Sequence, residues 1–143
     1  MSRRPEILKC TVSSCLTELR CVEKLTSQAG ARLSLSQDQI QNLAIAVTEA
    51  VGNAIVHGNR KDPKKKVGVV FRLLPDSVEV SVTDEGKGFD PGRIDDPLEP
   101  ANLMKENGRG IFILKNLMDE VQFDFSPKGT TLRMVMKIRR DAD

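Results

Sequence analysis

The chain has no tryptophan and no tyrosine, and its five phenylalanines are scattered. A surface that stacks nucleic-acid bases on aromatic rings is therefore poorly supplied. There is one histidine, His57, too few for a His-rich metal site or a His-based triad. The three cysteines, Cys10, Cys15 and Cys21, are odd in number and lack metal-ligand spacing. They read as reduced thiols in a cytoplasmic protein. Neither sign of charge dominates: 22 Lys and Arg against 20 Asp and Glu leave a net charge of +2. That is too little to hold nucleic acid or a membrane surface by bulk electrostatics. No apolar run approaches the roughly 18 residues that span a bilayer. The opening MSRRPEILKC carries two arginines with no apolar stretch behind them, so it does not read as a signal peptide.

What remains is an ordinary globular composition, 39% hydrophobic and 29% charged over 143 residues. That length suits one domain with one core, and no repeat or low-complexity linker divides it, so residues 1–143 are expected to form a single domain. Residues 6–13 read as a first strand. From Ser14 to about Ala29, Leu16, Leu19, Val22 and Leu25 recur at helical spacing, with Gly30 as the expected stop. Ser36 opens a second helix with Gln39 three residues on, a capping box. This helix runs to about His57, where Gly58-Asn59 ends it. Val67–Leu74 and Ser77–Thr83 form a hairpin across Pro75-Asp76. Residues 84–107 are rich in Gly, Pro, Asp and Asn, and so long an aperiodic stretch in a compact domain marks a functional loop or lid. A third helix follows at about Arg109–Met118. Strands Glu120–Phe125 and Thr130–Ile138 close the chain, joined by Ser126-Pro127-Lys128-Gly129. The expected fold is α+β: a two-layer sandwich with helices on one face of a mixed, mostly antiparallel sheet.

The second helix carries the first chemical signal. At 100° per residue, Ile40, Leu43, Ala44, Val47, Val51, Ala54 and Ile55 fall opposite Glu49 and form the core stripe. Glu49 and Asn53 are one turn apart on the other face. Glu49 is the sole carboxylate or cation from Ile40 to His57, flanked by Ile45, Ala46, Ala50 and Val56. A lone carboxylate among small apolar groups reads as the floor of a cleft. A carboxylate and an amide oxygen at this spacing make a Mg²⁺ site and a general base. The same composition also suits an ordinary helix with one polar stripe.

Glycine loops follow. Thr83-Asp84-Glu85-Gly86-Lys87-Gly88-Phe89 leaves a strand, and Gly86 and Gly88 let backbone pass close to a ligand. Asp84, at the strand end, is placed to accept from the amino group of a purine, although such a segment is also a common turn. Asn107-Gly108-Arg109-Gly110 precedes the third helix, where exposed amides favour an anion and Arg109 adds charge. Gly129-Thr130-Thr131 opens the last strand, or simply makes a tight turn.

Taken in order, Glu49-Ala-Val-Gly-Asn53-Ala-Ile-Val-His57-Gly58, Asp84-Glu-Gly86-Lys-Gly88, Gly108-Arg-Gly110 and Gly129-Thr130 resemble the Asn box and the three glycine boxes of the GHKL ATPase superfamily. The short chain and the Asn-Ala-x-x-His-Gly ending resemble the branch of bacterial anti-sigma factors that are also serine protein kinases. The resemblance covers about residues 5–140. It implies a Bergerat-type fold, ATP and Mg²⁺, with Glu49 as general base toward an attacking hydroxyl and Asn53 as Mg²⁺ ligand. It implies that Asp84 receives the adenine amino group, with Thr130 supporting it through water. Gly86 and Gly88 would border the base, and Gly108, Arg109 and Gly110 would lie at the phosphates. Relatives in this branch can carry an arginine shortly before the second glycine box, where this chain reads Met104-Lys105-Glu106-Asn107; Lys105 or Arg109 would stand in. Arg20 matches a position that contacts partners, and His57 matches a structural helix-end residue.

The implied activity is an ATP-dependent protein serine/threonine kinase and anti-sigma factor. It phosphorylates an anti-sigma-factor antagonist of the STAS type and sequesters an alternative sigma factor. A homodimer is implied by resemblance alone, with no direct nucleic-acid or membrane partner. The alternative is a nucleotide-dependent partner switch without significant phosphotransfer. A detached histidine-kinase ATP-binding domain ranks last, since no phosphoacceptor histidine helix accompanies it.

Overall fold

Valines, leucines and methionines at every second position build the sheet. In the computed structural model, which describes residues 5–14, 19–86 and 112–139, the strands are β1 (Glu6–Ser13), β2 (Lys66–Leu73), β3 (Ser77–Thr83), β4 (Glu120–Ser126) and β5 (Gly129–Lys137). Along β2, Val67, Val69, Phe71 and Leu73 are buried while Lys66 and Arg72 between and beside them are exposed. The period of two sends one set of side chains to each face. The strand order is β1-β2-β3-β5-β4. Each neighbouring pair is antiparallel, with Cys10 opposite Val69, Phe71 opposite Val80, Val80 opposite Met134 and Leu132 opposite Phe123. The expected α+β class holds. The parallel pair that a mixed sheet would contain is absent among the described residues.

The apolar face is covered by α1 (Arg20–Leu33) and α2 (Gln37–Asn53), with residues 112–117 forming a short helical segment, α3. Val22, Leu25 and Ala29 of α1, Leu43, Val47 and Val51 of α2, and Leu114 of α3 join the strand side chains in one core. The opposite face is polar. There Glu79 pairs with Arg72 at 3.4 Å and Arg133 at 3.8 Å, and Arg133 reaches Asp124 at 3.3 Å. Such exposed pairs add little stability, and they keep this face in water. No described helix is long and apolar enough to cross a membrane.

The ends of the first helix differ from the sequence expectation. Ser14 does not begin α1. It is buried at the end of β1, where its N–H and hydroxyl both donate to the Lys65 carbonyl at 3.2 and 2.9 Å. Residues 15–18 lie outside the described set, so Leu16 of the expected apolar row does too. Gly30 does not stop the helix. It sits inside α1 where α2 crosses, and a Cβ there would lie 2.8 Å from Cγ1 of Ile40. Its missing side chain is what lets the helices approach. The stop is Ser34, in the left-handed region at φ 53°, after which Leu35 N donates to the Gly30 carbonyl at 3.0 Å.

The start of α2 is half as expected. Ser36 caps it, accepting from Gln39 N at 3.1 Å. The Gln39 side chain does not return to the cap. It reaches the end of β5, donating to the Lys137 carbonyl at 3.0 Å and accepting from Arg139 N at 3.4 Å. The Lys137 carbonyl at the last sheet pair and the Arg139 N–H just beyond it are thereby satisfied, and a tertiary demand displaces the local reciprocal bond.

Candidate active site

The last turns of α2 point toward the loop that follows β3. Glu49 and Asn53 lie one turn apart and both are half-buried. Their surroundings differ from the expected cleft floor. Ala46 and Ala50 are 0% and 1% exposed, packed into the core, while Ile45 is 48% exposed. The buried arc of α2 is wider than one stripe because the helix is held between α1 and the sheet.

Beyond Asn53 the winding changes. Ala54–Gly58 form a π-helical turn, closed by Asn59 N donating to the Ala54 carbonyl at 2.8 Å. Such turns insert a residue into a helix and are common at functional sites. Here the turn ends with Gly58 pressed against Asp84. A Cβ on Gly58 would sit 2.2 Å from Asp84 Oδ2. The helix therefore ends where the sequence places the stop, but the stop is a packing contact as well as a change of backbone direction.

Asp84 is 7% exposed and is held by backbone on several sides. Its N–H donates to the Thr130 carbonyl at 2.9 Å. Its Oδ1 accepts from Gly86 N at 2.9 Å and from Thr130 N at 3.2 Å. A Cβ on Gly86 would lie 2.1 Å from the Gly58 carbonyl oxygen, and one on Gly129 would lie 2.1 Å from the Asp84 carbonyl oxygen. Gly129 also has φ 155°, which disfavours any side chain. Two backbone donors pin one carboxylate oxygen, while among the described residues no group donates to Oδ2. Burial raises the carboxyl above its ordinary value, and the Gly86 and Thr130 N–H groups and the charge of Lys65 pull it part of the way back. A buried acceptor with one oxygen lacking a donor among the described residues is suited to a ligand N–H donor. On this observation the residues present fit an amino-bearing heterocycle.

Thr130 contacts Asp84 without an intermediary. Its main-chain N–H and C=O bracket Asp84 directly. The next hydroxyl, that of Thr131, meets Thr83 at 3.0 Å.

Asn59, a helix stop by sequence, is the clasp of this region. It is 1% exposed. Its Nδ2 donates to Ser14 Oγ at 2.8 Å and to the Lys66 carbonyl at 2.9 Å, and its Oδ1 accepts from Glu85 N at 2.7 Å. One amide thus joins the ends of β1 and α2, the start of β2 and the loop carrying Asp84. Glu85 closes the ring, accepting from Lys66 N at 2.7 Å. The Asn that follows the Gly was the available signal; its partners, distant in sequence, were not visible.

The fold therefore brings Asp84, Gly86 and Thr130 together at the end of the helix that carries Glu49 and Asn53. Arg20 is elsewhere, exposed at the first position of α1. Lys105, Gly88, Gly108, Arg109 and Gly110 lie outside the described residues, as does most of the expected lid.

Comparison with known proteins adds an independent line. A family model described as the histidine kinase-like ATPase domain matches residues 12–136. The serine-protein kinase RsbW of Halalkalibacterium halodurans is 31% identical, over 96% of this chain and 87% of its own length. The serine-protein kinase RsbW of Bacillus subtilis is 33% identical, over 76% of this chain and 71% of its own. Among solved structures, the RsbU and RsbW domains of a Mycobacterium tuberculosis protein superpose with a TM-score of 0.70 at 22% identity, covering 96% of this chain and 33% of that one. The histidine kinase domain of an Erythrobacter litoralis blue-light-activated kinase gives 0.56 at 14% identity, over 82% of this chain and 59% of that one. At such identities the structural likeness speaks for the fold.

Proposed function

Since the chain belongs to the histidine kinase-like ATPase family, we propose that it is an ATP-dependent protein serine/threonine kinase and anti-sigma factor that works as a partner switch. The observation that carries the nucleotide part is Asp84, a buried carboxylate with Oδ1 pinned by backbone and Oδ2 without a donor among the described residues. In this reading Oδ2 accepts from the adenine amino group, Gly58 keeps a side chain off Oδ2, and Gly86 and Gly129 let the backbone close around Asp84. Thr130 holds the carboxylate in place through its main chain.

Asn53 would hold Mg²⁺ through its amide oxygen, alongside phosphate oxygens and water. The ion, when bound, neutralises charge on the phosphates. Glu49, one turn earlier on the same rigid helix, would take the proton of the incoming serine or threonine hydroxyl. Phosphoryl transfer asks mainly for positioning and charge neutralisation, and a carboxylate on a helix meets the first need. Gly88, Gly108, Arg109 and Gly110 are assigned to the nucleotide on their sequence positions. The protein substrate is proposed to be a STAS-type antagonist, and the sequestered partner an alternative sigma factor, with Arg20 on the contact surface. A homodimer, a single domain across residues 1–143 and a cytoplasmic setting complete the proposal.

The test has two steps. Calorimetric titration of ATP and ADP, with and without Mg²⁺, should show Mg²⁺-dependent binding that Asn53→Ala weakens. A wild-type chain that binds neither nucleotide would overturn the site. With a STAS-type antagonist and radiolabelled ATP, wild type should transfer label and Glu49→Ala should bind ATP without transfer. Undiminished transfer by Glu49→Ala would remove it from the role of base.

A further inference from the structure

The loop that leads from the π-helical turn into β2 reads Arg60-Lys61-Asp62-Pro63-Lys64-Lys65-Lys66. Five cations against one carboxylate leave it at +4, while the whole chain is only +2, so all other residues together are net negative. Arg60, Lys61, Lys64 and Lys66 are exposed and Lys65 is half-buried. Among the described residues none of these five side chains has an ion-pair partner, whereas Arg32, Arg72, Arg133 and Arg139 each hold a carboxylate. The two carboxylates at the loop are turned to the main chain. Asp62 Oδ1 accepts from Lys64 N at 2.9 Å, and Glu85 Oε2 accepts from Lys66 N at 2.7 Å.

The backbone beneath the cations is fixed. Lys61 N donates to the Ile55 carbonyl at 2.8 Å, and Asp62 N and Lys65 N donate to the Asn59 and Asp62 carbonyls at 3.0 Å. The Lys65 carbonyl takes both the N–H and the hydroxyl of Ser14. Arg60 and Lys61 are both left-handed, at φ 53° and 60°, where glycine or asparagine enters more readily. Two long cationic side chains in a row thus occupy backbone that disfavours them, and local rules are broken in this way mostly where side chains have a task beyond folding.

We propose that this loop is a docking surface for an acidic segment of a protein partner, whose carboxylates pair with Arg60, Lys61, Lys64 and Lys66. This rests on the partner-switch reading, which supplies the need for a protein partner. Opposite charge speeds encounter, and a fixed loop costs less to order than a free one. Nucleic acid suits the loop less well. No aromatic side chain is present in it to stack a base, and the cations are gathered on one turn rather than along a stripe. Asn59 and Glu85 bind both this loop and the segment that carries Asp84, so a partner held here stands beside the proposed nucleotide site.

A fluorescein-labelled oligo-glutamate peptide is titrated with the full chain at low salt and followed by fluorescence anisotropy. Wild type should bind it, with an affinity that falls as salt is raised. The triple variant Lys61→Gln, Lys64→Gln, Lys66→Gln should bind about tenfold more weakly, as expected for three exposed pairs lost together. Lys65 is kept, since its charge acts on Asp84, and an unchanged ATP affinity by calorimetry shows that the variant is folded. Arginine at the same three positions should keep wild-type affinity. The control Lys9→Gln, Lys24→Gln, Lys115→Gln removes the same charge from three other exposed lysines and should stay within about twofold of wild type. A wild-type chain that binds ATP but not the peptide would overturn the proposal. So would equal weakening in the control or in the arginine variant. Single-stranded DNA of equal charge that displaces the peptide as well as free oligo-glutamate does would assign the loop to nucleic acid and overturn it too. A wild-type chain that binds the peptide through this loop but no ATP would count against the nucleotide site alone.

Discussion

Replacing Asn59 by alanine should destabilise the protein by about 3 kcal/mol. The side chain makes three hydrogen bonds of 2.7 to 2.9 Å, to Ser14 Oγ, the Lys66 carbonyl and Glu85 N. Each contributes about 1 kcal/mol net, and loss of one partner from a buried site leaves the others short of water. The residue is 1% exposed, so solvent does not replace the lost amide without rearrangement. On a typical stability of about 5–15 kcal/mol this is a large fraction, and it corresponds to a fall in Tm of roughly 10 °C. With no Trp or Tyr in the chain, far-UV circular dichroism during urea unfolding is the suitable assay, and the m value shows whether the transition stays two-state. Nucleotide affinity should weaken as well, because the bond to Glu85 N tethers the loop that presents Asp84. A loss below about 1 kcal/mol, with affinity unchanged, would refute the reasoning that this amide clasps the strand and helix ends.

Gly58→Ala places a methyl group 2.2 Å from Asp84 Oδ2 and should lower ATP affinity by about tenfold or more, roughly 1.4 kcal/mol; an unchanged Kd by calorimetry would show that Asp84 can move aside. Gly52→Ala meets nothing within 4 Å and should instead raise stability by about 1 kcal/mol through helix propensity, read from the urea midpoint. Asp84 is raised from 3.8 by burial, so its contribution to stability is full below that value and is lost as pH rises through the raised one. The wild-type advantage over Asp84→Asn in urea should therefore shrink with increasing pH across that window, and a growing advantage would contradict the burial argument. Asp119 runs the other way: burial alone would raise it, but the Lys137 N–H and the Arg139 guanidinium hold it below 3.8. Its contribution is present above 3.8 and lost as pH falls through the lowered value, and Asp119→Asn should flatten that acid limb.

Element identity was legible because it depends on local period. The alternation in β2 and β3, the Ser36 cap and the turns at Pro75-Asp76 and Ser126–Gly129 are each written within a few residues, and each appears where expected. The order Glu49, Asn53, Asp84, Gly86 and Thr130 was equally open to reading, since glycine and carboxylate positions along a chain need no coordinates. Other features depend on what arrives from elsewhere. Gly30 looks like a helix stop until Ile40 of the neighbouring helix is seen against it. Ala46 and Ala50 look like a cleft floor until α1 and the sheet close on both sides of α2. Gln39 looks like half of a capping box until the end of β5 claims its amide.

The sequence by itself thus determined the helices, the strands, the family motif and the chemical type of each candidate group, because those follow from short-range pattern and residue chemistry. Only the tertiary structure decided which oxygen of Asp84 is pinned and which is open, and that Asn59 ties four chain segments together. These depend on contacts between residues far apart in the chain, whose geometry is set by packing of the whole core.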